Sequence, residues 1–185
     1  MSALSEILSL ISEETRVIAI DGRSASGKTT LSSLLAAEIE GSVIHMDDFF
    51  LPPDLRSDMR YSEAGGNVHY ERFLEEVVDN LRIGKPFSYR KFSCSEMDYD
   101  PVPVFIDTAK PVIVEGAYSL SPRFGKYYDF SVFLTIGKEE QMRRICLRNG
   151  KDKAKVFETR WIPLEEAYFK AYSIEKRVAL VCCQE

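Results

Sequence analysis

The sequence predicts an α/β fold with a parallel sheet and helices on both faces, and three observations predict it. Short, almost wholly apolar runs such as Val17–Ile20, Val43–Met46 and Val112–Val114 read as strands buried on both sides. Helix-like stretches alternate with them along the chain. The first run also leads directly into Gly22-Arg23-Ser24-Ala25-Ser26-Gly27-Lys28-Thr29, a complete G-x-x-x-x-G-K-[ST] loop that opens a helix.

Each element has its own signal. Leu4, Ile7, Leu8 and Ile11 fall at helical spacing, so 4–14 predicts an amphipathic helix packed on the sheet. The loop is followed by a helix over 28–39, with Gly41 as its stop. Val43–Met46 is a second strand, ending at Asp47-Asp48. Residues 51–67 are rich in Pro, Asp, Ser and Gly and predict a long functional loop. A helix follows over 68–83 with Phe73, Leu74, Val77, Val78 and Leu81 on one face and Gly84 behind it. Pro86, Pro101 and Pro103 predict irregular structure with short strands over 86–110. Val112–Val114 and Phe130–Ile136 are further strands, and a helix starts at Lys138. A basic stretch leads to a helix over 163–173 with Pro163 in its first turn. Val178–Val181 is a last strand. No repeat or linker divides the chain, so residues 1–185 read as one domain.

Bulk properties bound the function. The 185 residues can fill one α/β core, and 45% hydrophobic with 29% charged residues fits a folded globular protein. A net charge of −5 argues against a general nucleic-acid or acidic-membrane surface. No apolar stretch approaches a membrane span and no signal peptide is evident, so a cytoplasmic location is expected. Cys94, Cys146, Cys182 and Cys183 lack C-x-x-C spacing and read as reduced thiols.

The chemistry starts at the loop. Its amides and the positive end of the following helix suit phosphate oxygens, so Gly22, Ser24, Ala25, Ser26, Gly27, Lys28, Thr29 and Thr30 are the expected nucleotide contacts. Lys28 suits β- and γ-phosphates and the Thr29 hydroxyl suits Mg²⁺. Asp47 or Asp48, at the carboxyl edge of the sheet, could take the proton of an attacking hydroxyl and order water around Mg²⁺. Glu115 closes its strand where a metal-supporting acid is expected. Arg144 and Arg148, four residues apart in a basic stretch, suit charge on a transferring phosphoryl group; most of the nearby lysines read as a solvated helix face. His45 reads as a strand residue with an ordinary hydrogen bond. Phe49, His69, Tyr70, Tyr89, Arg90 and Phe92 are candidates to line an acceptor pocket, although aromatics packed under a loop would read the same way.

Together these motifs resemble the uridine kinases and related nucleoside kinases, within a wider group that includes nicotinamide riboside kinase and phosphoribulokinase. The resemblance rests on the 21–30 loop, on Val43-Ile44-His45-Met46-Asp47-Asp48-Phe49-Phe50 beside the D-x-F-[YF] segment, on Val112–Gly116, and on Arg143-Arg144 through Arg148-Asn149-Gly150 beside the lid arginines. It spans roughly residues 16–182. It implies a P-loop NTPase three-layer sandwich with five parallel strands, an acceptor-binding insertion over about 49–110 and an arginine-bearing lid over about 143–162. It implies Asp47 as catalytic base, and ATP and Mg²⁺ served by the loop and Glu115. The pattern departs over Pro86–Phe92, at Ser93-Cys94-Ser95 where a histidine is usual, and at Arg160-Trp161-Ile162-Pro163. These departures fall on acceptor recognition.

The function expected is therefore a Mg-ATP-dependent kinase acting on a small-molecule alcohol, foremost the 5′-hydroxyl of a nucleoside such as uridine. Nicotinamide riboside, pantothenate and other small alcohols are alternative acceptors. A regulatory nucleotide-binding NTPase is the alternative of another class, disfavoured because a switch needs no acceptor base. No nucleic-acid or membrane partner is expected, and a homo-oligomer is compatible with the sequence.

Overall fold

In the computed structural model, which describes residues 2–184, the chain is laid out as follows. Helix α1 (Ala3–Leu10) precedes β1 (Val17–Gly22), α2 (Lys28–Ile39) and β2 (Ser42–His45). A short helix α3 (Asp58–Ser62) and a longer one, α4, over 70–83 come next. Four short strands follow, β3 (Phe87–Tyr89), β4 (Phe92–Ser93), β5 (Asp98–Tyr99) and β6 (Val104–Ile106). The chain continues through β7 (Val112–Glu115), β8 (Phe130–Ile136) and α5 (Lys138–Asn149) to α6 over 151–172 and β9 (Leu180–Gln184).

The main sheet has five strands in the order β2-β7-β1-β8-β9, and every pairing is parallel. Strand alternation divides its side chains between two apolar layers. Val17 and Ala19 face the layer that holds Phe49, Phe73, Phe124 and Tyr168. Ile18 and Ile20 face the layer that holds Ile7, Leu31 and Leu35. β1 is therefore apolar on both sides, as its sequence requires. It lies at the centre of the sheet, with β7 and β2 on one side and β8 and β9 on the other, so a crevice opens at the carboxyl ends of the strands. None of the described helices is long and apolar enough to cross a membrane.

Several boundaries differ from the sequence reading, each for a local reason. α1 ends at Leu10 rather than 14. The left-handed residue ending α2 is Glu40 (φ 50°), not Gly41. Gly41 is needed instead for close approach: a Cβ there would lie 2.7 Å from the Pro111 carbonyl oxygen. Met46 leaves the strand and starts a 3₁₀ turn over Met46–Phe49, so the Asp47-Asp48 pair sits on that turn. The loop at 51–67 contains α3. The helix expected over 163–173 is the second half of α6, which begins at Lys151 and passes through a π-helical turn at Phe157–Trp161. Pro163 has no N–H to donate, and the widened turn before it absorbs the missing link without ending the helix. Only Gly150 (φ 81°) separates α5 from α6.

Asp21 joins β1 to the rest of the crevice. It is fully buried and accepts bonds from the backbone N–H groups of Gly22 (2.7 Å), Tyr118 (3.2 Å) and Leu120 (3.0 Å) and from the Tyr168 hydroxyl (2.8 Å). Burial outweighs these bonds and raises its pKa from the ordinary 3.8 to about 6. Between those values the folded protein holds a proton that the unfolded chain releases. Stability is then lost as pH rises through the window, by about 3 kcal/mol. Thermal unfolding followed from pH 7.5 to 5 should show the midpoint rising as pH falls. Asp21→Asn, which removes the titrating group, should flatten that slope.

Candidate functional site

Residues from both halves of the chain line a cavity of about 700 Å³ at the carboxyl edge of the sheet. The phosphate loop forms its base. Ser24, Ala25, Gly27, Lys28, Thr29 and Thr30 line it, whereas Gly22 and Ser26 lie buried behind them. Lys28 Nζ donates to the carbonyls of Gly22 and Arg23, both at 2.9 Å.

The loop is built to take an anion. Ala25 and Gly27 have φ of 61° and 91°, and a Cβ on Gly27 would meet nothing within 4 Å. No side chain caps α2, so its first amides have no partner from a capping side chain or from within the helix. The buried Ser26 hydroxyl also lacks a partner among the described residues. These groups fit the phosphates of a nucleoside triphosphate.

Around the loop stand the carboxylates. The Thr29 hydroxyl donates to Glu115 Oε1 at 3.1 Å, so both candidate metal-supporting groups meet at the cavity wall. His45 does make a hydrogen bond, but its partner is this same Glu115 oxygen, with Nδ1 at 2.6 Å. That bond raises the His45 pKa. Asp47 lines the cavity and is exposed to it, while desolvation by the surrounding protein raises its pKa. Lys28 opposes the rise and Glu115 adds to it. Asp48 instead accepts from the Tyr89 hydroxyl at 2.8 Å and does not line the cavity.

Arg144 and Arg148 both reach the cavity from α5, as their spacing predicts. Arg144 Nε donates to Glu140 at 2.6 Å, and Arg148 Nε to Asn149 at 2.8 Å.

The expected acceptor residues are placed differently, and none of the six lines the cavity. Phe49 is wholly buried, edge-on to Phe73 and beneath the Arg72 guanidinium. Tyr89 is buried on Asp48, and Phe92 packs on Tyr99. Arg90 is held by the carbonyls of Asp100 and Tyr99. The Tyr70 hydroxyl bonds Glu63, and its ring carries Arg60 and Arg123. His69 N–H donates to Phe49 O at 2.7 Å at the start of α4, and its buried Nδ1 has no partner among the described residues. The β3–β6 and β4–β5 pairs turn these rings toward the core, because burying a large aromatic surface outweighs leaving it at the rim.

Other residues line the cavity: Arg56, Tyr61, Asn67, Tyr118 and Glu165, which sequence reasoning missed, and Arg160 and Trp161, which it singled out only as a departure from the family pattern. Glu165 is buried on α6 and accepts from the Ser24 N–H (2.9 Å) and the Ser24 hydroxyl, while Gln141 donates to the Ser24 carbonyl (3.0 Å). Burial raises the Glu165 pKa. Its signal was present: Glu165 shares the i, i+3, i+4, i+7 stripe with Tyr168, Phe169 and Tyr172, a place where a carboxylate needs a specific partner.

The model of the phosphoribulokinase / uridine kinase family matches residues 17–159. The chain belongs to this family. Among curated relatives, a uridine-cytidine kinase D of Dictyostelium discoideum is 25% identical over 75% of this chain, which spans only 28% of that protein. A uridine kinase of Staphylococcus epidermidis is 22% identical, covering 79% of this chain and 74% of its own length. Among solved structures, one described as a possible uridine kinase from Bacillus stearothermophilus superposes with a TM-score of 0.72 at 19% identity, over 96% of this chain and 94% of its own. A D-glycerate 3-kinase from Cryptococcus neoformans reaches 0.55 at 15% identity, over 88% and 83%. These likenesses place the fold among the P-loop kinases.

Glu165→Ala should loosen the junction between α6 and the phosphate loop. The loss expected is about 1–3 kcal/mol, from the unpaired Ser24 donors. Thermal denaturation and hydrogen exchange across 151–172 should both report it.

Proposed function

We propose that the chain is a Mg-ATP-dependent kinase that transfers the γ-phosphoryl group to a hydroxyl of a small-molecule acceptor. The observation that carries this reading is that a phosphate loop, the Asp47 carboxylate and two arginines share one cavity. A nucleotide switch needs the first of these and not the second.

In this reading the amides of the 24–30 loop and Lys28 hold the phosphates. Lys28 exchanges its two backbone carbonyls for phosphate oxygens. The Thr29 hydroxyl and Glu115 would hold Mg²⁺, with Asp47 ordering its water; the ion supplies positive charge at the phosphates. Asp47 accepts the proton of the attacking hydroxyl. Its raised pKa makes it a better proton acceptor than an ordinary carboxylate, and neighbouring Lys28 keeps the ionised form accessible. Arg144 and Arg148 place charge over the transferring group, and the 143–162 segment acts as a lid that excludes water. Gly150, between the two helices, is the joint at which such a lid can move.

A nucleoside 5′-hydroxyl, as in uridine, is the acceptor suggested by the names of relatives only 25% and 22% identical. Tyr89 and Phe92 pack inward, so any ring that stacks on such an acceptor has to come from Tyr61, Tyr118 or Trp161, which line the cavity.

Asp47→Asn should lower kcat by about 10²–10⁴-fold while leaving ATP affinity within a few-fold. Lys28→Ala should weaken ATP binding itself, as titration calorimetry would register. ADP release that no hydroxyl compound stimulates, and that Asp47→Asn does not change, would overturn the kinase reading.

A further inference from the structure

We infer that the acceptor carries an anionic group, a carboxylate or a phosphate, besides the hydroxyl that is phosphorylated, and that Arg56 receives this group. The inference rests on the kinase reading and narrows its acceptor class.

Arg56 follows the turn at Pro53–Leu55 and lies half-buried at the cavity wall. Its Nε donates to the Leu51 carbonyl at 2.9 Å, which fixes the plane of the guanidinium. Its other contact is Nη2 to the Met97 sulfur at 3.7 Å, a weak acceptor. Among the described residues no carboxylate stands within ion-pair distance of it. Arg144, on the lid side of the same cavity, is by contrast paired with Glu140. A partly desolvated guanidinium with unmatched donors and no counter-ion is unfavourable alone, and it fits a planar or tetrahedral oxyanion through two parallel bonds.

Its position assigns it to the acceptor and not to ATP. Arg56 belongs to the insertion that follows Asp47, away from the phosphate loop and the lid helices in the chain. Arg56, Asp47 and Cys94 all line the same cavity. Nearby, Asn67 is only 5% exposed, and its Oδ1 has no partner among the described residues. A hydroxyl of the acceptor would supply the missing donor. A proton acceptor, a fixed cation and a buried carboxamide oxygen with no donor together suit a hydroxy acid or a phosphorylated polyol. A neutral nucleoside leaves the guanidinium unmatched.

The test uses the full chain with Mg-ATP and measures ADP formation against three panels: hydroxy acids, polyol phosphates, and neutral nucleosides with uncharged polyols. Comparing the first two panels separates carboxylate from phosphate. Turnover is expected with an anionic panel, and Arg56→Ala and Arg56→Gln should raise KM for that acceptor about 10²-fold, with Arg56→Lys recovering part of it. A direct measurement accompanies it. With a non-hydrolysable ATP analogue bound, D-glycerate or glycerol 3-phosphate should raise the thermal midpoint while glycerol does not, and Arg56→Gln should abolish the rise. Highest kcat/KM on a neutral nucleoside, or anion effects that survive Arg56→Gln, would overturn the inference while the kinase reading stands. If no panel stimulates ADP release and Asp47→Asn changes nothing, the kinase reading falls instead.

Discussion

The crevice is organised around one buried carboxylate. Asp21 accepts four hydrogen bonds from three segments: the start of the phosphate loop, the 118–120 turn after β7, and α6. Removing the charge from water costs several kcal/mol, and the raised pKa indicates that this cost outweighs those bonds. Asp21 therefore sets register more than it adds stability. It holds the end of β1, the turn beyond Glu115 and the lid-bearing helix in one arrangement, and the loop geometry follows.

A second set of contacts works outward from the loop. Arg23, within the phosphate motif, turns away from the cavity; it pairs with Glu166 and Glu175 and lies over the rings of Phe133 and Phe169. Ser24 is held by Glu165 and Gln141. The first half of the motif is thus bolted to α5 and α6, while Gly27, Lys28 and Thr29 remain directed at the cavity. This division explains how a loop with three residues at positive φ keeps its shape before any phosphate arrives.

The phosphate loop was legible because its residues are contiguous. One eight-residue motif supplies amides, cation and hydroxyl, and the flanking apolar strand and helix specify where it sits. Asp47, Glu115 and the Arg144/Arg148 pair were legible for a related reason, since strand ends and helical spacing place each of them at the same edge of the sheet. The rest of the cavity was not. Its lining comes from the 53–67 loop, the 94–97 turn, Tyr118 and the π-helical turn of α6, segments with no shared periodicity. Tyr89 and Phe92 looked available for the same reason that they are buried: large aromatic rings suit a ligand and a core equally well.

The sequence by itself determined the parallel sheet, the phosphate loop and the order of the charged groups. These depend on local spacing and on apolar runs that have no alternative but burial. Only the tertiary structure decided which aromatics turn inward, that α6 runs unbroken past Pro163, that Glu165 grips Ser24, and that Arg56 shares the cavity with Asp47. Those outcomes depend on which long-range surfaces meet, and a pairwise contact across 141 residues, such as Ser24 with Glu165, leaves no mark in the spacing of either one.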